Sequence, residues 1–137
     1  MTNLSKYCEL NQHFTMQELL FTRSNDQTVA YYDYRLGEDV VFWHHGVGAA
    51  GPISTIVGEN ADANGFRIIE IARSGYGNST SNSNRAVEDL GNIDLELADF
   101  LGIEKFCLVG ASGGGPHALA AARNVGNRCI GTLLNQI

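Results

Sequence analysis

No apolar run in this chain approaches the roughly 18 residues that a bilayer-spanning helix needs, and no signal-peptide core opens it: Met1 to Gln12 mixes polar and apolar residues. A membrane-embedded or exported protein is therefore not expected, and a cytoplasmic location is. Without an export signal, the glycosylation sequons Asn3-Leu4-Ser5 and Asn78-Ser79-Thr80 carry little weight. Positive charge is also scarce. Nine Lys and Arg face 15 Asp and Glu, for a net charge of -6, which argues against nucleic acid or an anionic membrane as a partner. The three cysteines, Cys8, Cys107 and Cys129, are odd in number and lack metal-ligand spacing. Cys107 and Cys129 lie in apolar strand-like runs and read as small buried hydrophobes in a reducing compartment. Repeats, low-complexity stretches and internal linkers are absent, so residues 1–137 read as one domain.

What is present is a hairpin followed by alternating strands and helices. Met16 to Thr22 and Thr28 to Arg35 flank the turn-rich Ser24-Asn25-Asp26-Gln27 and predict an antiparallel pair. Val40 to Trp43 is a short apolar strand. A helix from about Pro52 to Ala63 follows and closes at Asn64-Gly65. Phe66 to Ala72 is the next strand. After a polar loop, Ser83 or Asn84 is placed to cap an amphipathic helix that buries Val87, Leu90, Leu97 and Leu101 and ends at Gly102. Phe106 to Val109 is a strand, about Gly114 to Val125 a helix, and Cys129 to Leu134 a last strand. The pattern predicts an α/β fold: an N-terminal hairpin, then a mostly parallel sheet with flanking helices.

Gly110-Ala111-Ser112-Gly113-Gly114 follows the third buried strand. Glycines two before and two after a serine form the nucleophile-elbow pattern, a strained strand-to-helix turn that exposes the hydroxyl. Side chains at Gly110 and Gly114 would jam strand against helix. A serine hydroxyl needs a base, and the base an orienting acid. Only 25 residues follow Ser112.

Two further loops stand in a fixed order before the elbow. His44-His45-Gly46-Val47-Gly48 follows one strand and Arg73-Ser74-Gly75-Tyr76-Gly77-Asn78-Ser79 the next. Together the three segments resemble the α/β-hydrolase superfamily, in particular small serine hydrolases with an HHG-x-x-G loop, an R-P-G-Y-G-x-S loop and a G-x-S-G-G-G-P-H-A-L-A elbow. The resemblance covers about Val40 to Ile137. It implies Ser112 as nucleophile and the backbone amides of Val47 and Gly113 as an oxyanion hole. It further implies an acyl-enzyme reaction on a small ester-like substrate, with neither metal nor organic cofactor. Serine at the elbow, where epoxide hydrolases and dehalogenases of similar fold carry aspartate, points to esterase-like chemistry, and the resemblance also admits peptidase or carbon–carbon hydrolase chemistry.

The chain departs from that pattern in three places. Ser74 stands where proline is usual, which predicts a softer loop, and Ala72 stands where an acidic residue often precedes the arginine. In the family a cap, later strands, an acid and a histidine follow the sixth strand. The expectation is thus the N-terminal half of such a domain, truncated after the strand that follows the nucleophile helix, with acid and base unknown and a complementing C-terminal fragment as a candidate partner.

No histidine of the chain is an obvious substitute base. His117, five residues past Ser112, would be displaced about 7 Å along its helix and reads as a surface or packing residue. His45 reads as loop-shaping, His44 as pointing to the opposite sheet face, and His13 lies outside the strand alternation. Two other readings stand beside the hydrolase. One is a non-catalytic hydrolase-like binding protein. The other is a dinucleotide-binding module, because Gly46-Val47-Gly48-Ala49-Ala50-Gly51 spells G-x-G-x-x-G and Glu70 lies about twenty residues on. Glu70, however, falls inside a strand and not at its tip.

Overall fold

The computed structural model describes residues 17–34, 37–48, 61 and 63–135. Six strands form one sheet in the order β1-β2-β4-β3-β5-β6. β1 (Leu19–Thr22) and β2 (Thr28–Tyr34) make the expected hairpin, and β2 is also antiparallel to β4 (Phe66–Ile71). From there the sheet is parallel: β4 on β3 (Asp39–His44), β3 on β5 (Phe106–Ala111), β5 on β6 (Cys129–Asn135). Two α-helices are described, α1 (Asp89–Leu101) and α2 (Gly115–Val125). The helix expected over Pro52 to Ala63 lies almost wholly outside the described residues, as does Met16. No helix among the described residues is long and apolar enough to cross a membrane.

The main core lies between the sheet and the two helices. Phe42, Ile69, Ile71, Phe106 and Leu108 from the strands meet Leu90, Leu97 and Ala98 of α1 and Ala118, Ala121 and Val125 of α2. Phe42 and Phe106 pack edge to face, their centroids 4.6 Å apart. The other sheet face carries a smaller cluster of Val41, Ala61 and Ile68 beside Trp43, Cys107 and Val109. The helices approach closely at Gly91, where a Cβ would lie 2.7 Å from that of Asn124.

Helix α1 begins later than its apolar period predicts. Ser83 and Asn84 lie in a turn closed by Arg85 N–H donating to Asn82 O at 3.3 Å, and Asp89 Oδ2 accepts from Ala86 N at 2.8 Å. Those bonds hold residues 82–88 as turns, so Glu88 is the first flanking residue and Val87 is left exposed. Gly102, in the left-handed region at φ +72°, ends the helix as expected. The cysteines need a second correction. Cys107 and Cys129 are half-buried, not buried: Cys107 packs against the smaller cluster and Cys129 against the margin of the main core.

This topology brings three loops to one edge. The chain leaves β3 for β4 on one side and returns to β5 on the other. The carboxyl ends of β3 and β5 therefore bound a topological switch point, where α/β sheets hold their ligands.

Candidate active site

Ser112 sits at the corner between β5 and α2. Ala111 is still extended (φ -96°, ψ 123°), Ser112 to Gly114 form a single 3-10 turn, and α2 begins at Gly115 with Pro116 in its first turn. Ser112 has φ +50°; Asp26 is the other described non-glycine residue with positive φ. That conformation costs a non-glycine residue on the order of 1–3 kcal/mol and is held only where the surroundings impose it.

The surroundings here are backbone. A Cβ on Gly110 would lie 2.5 Å from Gly114 O and 2.7 Å from Gly115 Cα, and one on Gly114 would collide with the carbonyls of His44 and His45. The corner is wedged between its own strand and the end of β3. On its solvent side, a Cβ on Gly113 would lie 3.3 Å from Val47 N, and one on Gly46 3.4 Å from Ser112 Cβ. The segment from Gly46 to Val47 therefore lies directly against Ser112 and Gly113. Ser112 itself is exposed.

The loop after β3 is clamped by the loop after β4. His45, fully buried, turns Nδ1 to Gly46 O at 2.7 Å, and its Nε2 accepts from Arg73 N at 3.1 Å. Carbonyl on one side and amide donor on the other fix the neutral tautomer with the proton on Nδ1. Burial, reinforced by Arg73, holds the imidazole pKa down at about 4. The Arg73 guanidinium donates to His45 O, and its centre lies 5.6 Å from the centroid of the Tyr76 ring. Tyr76 stands edge-on to His45 at 4.5 Å and accepts from Gly48 N at 3.2 Å. Ser74, in the place of the family's proline, ties the loop through its side chain, donating to Thr80 O at 3.0 Å and accepting from Asn82 N at 2.6 Å.

His44 points to the face that α1 and α2 cover, where it meets a residue that sequence reasoning missed. Its Nε2 pairs at 3.1 Å with Oδ2 of Asp94 on α1, both side chains fully buried. Burial raises the Asp94 pKa, and the adjoining His44 counters it. Asp94 is four residues after Leu90 and three before Leu97, on the apolar stripe, and that spacing was the available signal. His117 turns Nδ1 back to Gly113 O at 3.0 Å, and burial lowers its pKa. No histidine is hydrogen-bonded to Ser112 among the described residues, and His13 lies outside them. Glu70 sits within β4, buried, opposite Trp43 and Tyr32, so it does not occupy the strand tip a dinucleotide ribose would need.

No protein-family model matches the sequence, and no curated protein matches it. Solved structures do. An esterase from Thermogutta terrifontis shares 26% identity, with a TM-score of 0.72 over 86% of this chain and 44% of its own. An esterase from Exiguobacterium antarcticum shares 20%, with a TM-score of 0.74 over 86% and 44%. Mouse alpha/beta hydrolase domain-containing protein 10 shares 23%, with a TM-score of 0.70 over 86% and 48%. The chain thus spans less than half the length of each of the three.

Proposed function

From the α/β-hydrolase fold that this chain carries, we propose that it bears the nucleophile and oxyanion half of a serine hydrolase acting on small ester-like substrates. Ser112 Oγ attacks the carbonyl carbon as its proton passes to the base, the carbonyl π pair moves to oxygen, and the amides of Val47 and Gly113 receive that oxyanion. Collapse breaks the carbon–oxygen bond to the leaving group, which takes the proton from the base and departs as the alcohol; water, deprotonated by the same base, then attacks the acyl group, and the released Ser112 oxygen takes that proton back. Donors placed for the developing charge, not for the ground state, are what accelerate such a step, and each is typically worth about 2.7–4 kcal/mol. The supporting observation is the strained φ of Ser112 on a corner that packs against Val47. The base and acid come from outside the described residues, in the same polypeptide or in a complementing one.

A fluorophosphonate probe followed by intact-mass spectrometry tests this reading. The expected result is one adduct, on Ser112, absent from Ser112→Ala. Because no histidine is hydrogen-bonded to Ser112 among the described residues, labelling of residues 1–137 alone should be slow and should quicken when imidazole is added to the buffer. A chain that stays unlabelled while folded supports instead the non-catalytic binding reading, which rests on the lack of a serine–histidine hydrogen bond among the described residues.

A further inference from the structure

The loop after β4 closes over a cavity of about 90 Å³ lined in part by Arg73, Thr80, Arg85, Asp89 and His117. At roughly 10–15 Å³ per water, it has room for a ligand of a few heavy atoms. Its charge is opposite to that of the chain. Arg23, which also lines it, is matched by Glu96 at 2.5 Å. Arg73 and Arg85 have no carboxylate partner among the described residues. Asp89, the one acidic residue of the lining, is hydrogen-bonded to the Ala86 amide at 2.8 Å. With Arg23 set against Glu96, two guanidinium charges face one carboxylate, so a single positive charge is in excess.

Arg73 makes that excess costly. The residue is 5% exposed, its predecessor is Ala72, and its side-chain contacts are the His45 carbonyl and Tyr76, which it meets both over the ring and through a side-chain hydrogen bond. Burial lowers its pKa; Tyr76 opposes that shift and Arg85 adds to it. A guanidinium withdrawn from water with no counter-charge among the described residues is a debit that an anion removes, and its five donors in a planar fork suit a carboxylate. Arg85 is exposed and gives one N–H to Ser74 O at 3.1 Å, leaving the rest of its fork free of described partners. Thr80 Oγ1 accepts from Thr28 N at 2.8 Å, so its own proton is available to donate.

We propose that this cavity is a binding site for a small carboxylate, held by the guanidiniums of Arg73 and Arg85 and the hydroxyl of Thr80. One excess charge favours a monoanion over a dianion. The site stands independently of the role of Ser112, although its walls adjoin the elbow: His117 is bonded to Gly113, and Arg73 to His45.

Titration of the isotope-labelled full chain with sodium acetate, followed by proton–nitrogen correlation spectra at ionic strength held constant with sodium chloride, tests it. Saturable shifts are expected at the Arg73 Nε–H and the Thr80 amide. Arg85→Gln, a change at an exposed side chain, should weaken acetate binding by about tenfold, the scale of a hydrogen bond to a charged group. Thr80→Val should weaken it less. Shifts that never saturate, that chloride reproduces, or that are superimposable in Arg85→Gln and wild type would overturn the proposal.

Discussion

His45 carries a proton-linked consequence that follows from its two hydrogen bonds. Its pKa is near 4 in the fold, against about 6.5 in an unfolded chain. Between those values the unfolded state binds more protons. The contribution of His45 to stability is therefore complete above about pH 6.5 and is lost as pH falls toward 4. Urea unfolding of wild type and His45→Gln over that window should show a shallower loss in the variant, since it lacks the titrating ring; parallel curves would contradict the assignment. The place of His45 beside the elbow was legible in the sequence because its loop has a recognisable pattern. Asp94 was not. A carboxylate on a helix is ordinarily read as solvated, and only the position of His44 across the core makes a buried one tolerable. The Arg73 excess charge was hidden for the same reason, since unpaired charge is a property of neighbours distant in sequence.

At the scale of the element, the turn from β5 to α2 holds the site, and its glycines are not equivalent. A methyl group at Gly114 meets the backbone carbonyls of His44 and His45, which cannot retreat without unpairing β3. Gly114→Ala should cost about 3 kcal/mol or more, the upper range of overpacking. One residue on, Gly115 has helical dihedrals (φ -57°, ψ -55°), and its nearest neighbour to a new methyl is Leu134 Cδ2 at 3.9 Å. Gly115→Ala should stabilise by about 0.5–1 kcal/mol through helix propensity. Denaturant midpoints of the two variants check this, and equal effects would show that the turn is not wedged as described. Strands β2 to β6 were readable to within about one or two residues of their ends, because short apolar runs between turn residues leave little choice. The start of α1 was not, because the Asn82 and Asp89 side chains hold a turn where the apolar period already reads as helix.

Over the whole molecule, the hairpin-then-parallel layout follows from strand order and right-handed crossover rules, and it was legible throughout. What the layout exposes is β6. Among the described residues it forms one edge of the sheet, and Ile130 and Leu133 are 65% and 63% exposed. An open, apolar edge strand recruits other strands. Residues 1–137 expressed alone should self-associate at micromolar concentration, and Ile130→Lys with Leu133→Glu should return them to monomer in light scattering after gel filtration. A wild type monomeric at every concentration would contradict that reading of β6.

The central claim is that the Ser112 hydroxyl and the Val47 and Gly113 amides converge on one reacting group. A crystal structure of the chain after phosphonylation tests it most directly. Phosphorus should be bonded to Ser112 Oγ, with the phosphoryl oxygen about 2.7–3.1 Å from both amide nitrogens. A phosphoryl oxygen turned away from Val47, or the adduct on another side chain, would contradict it.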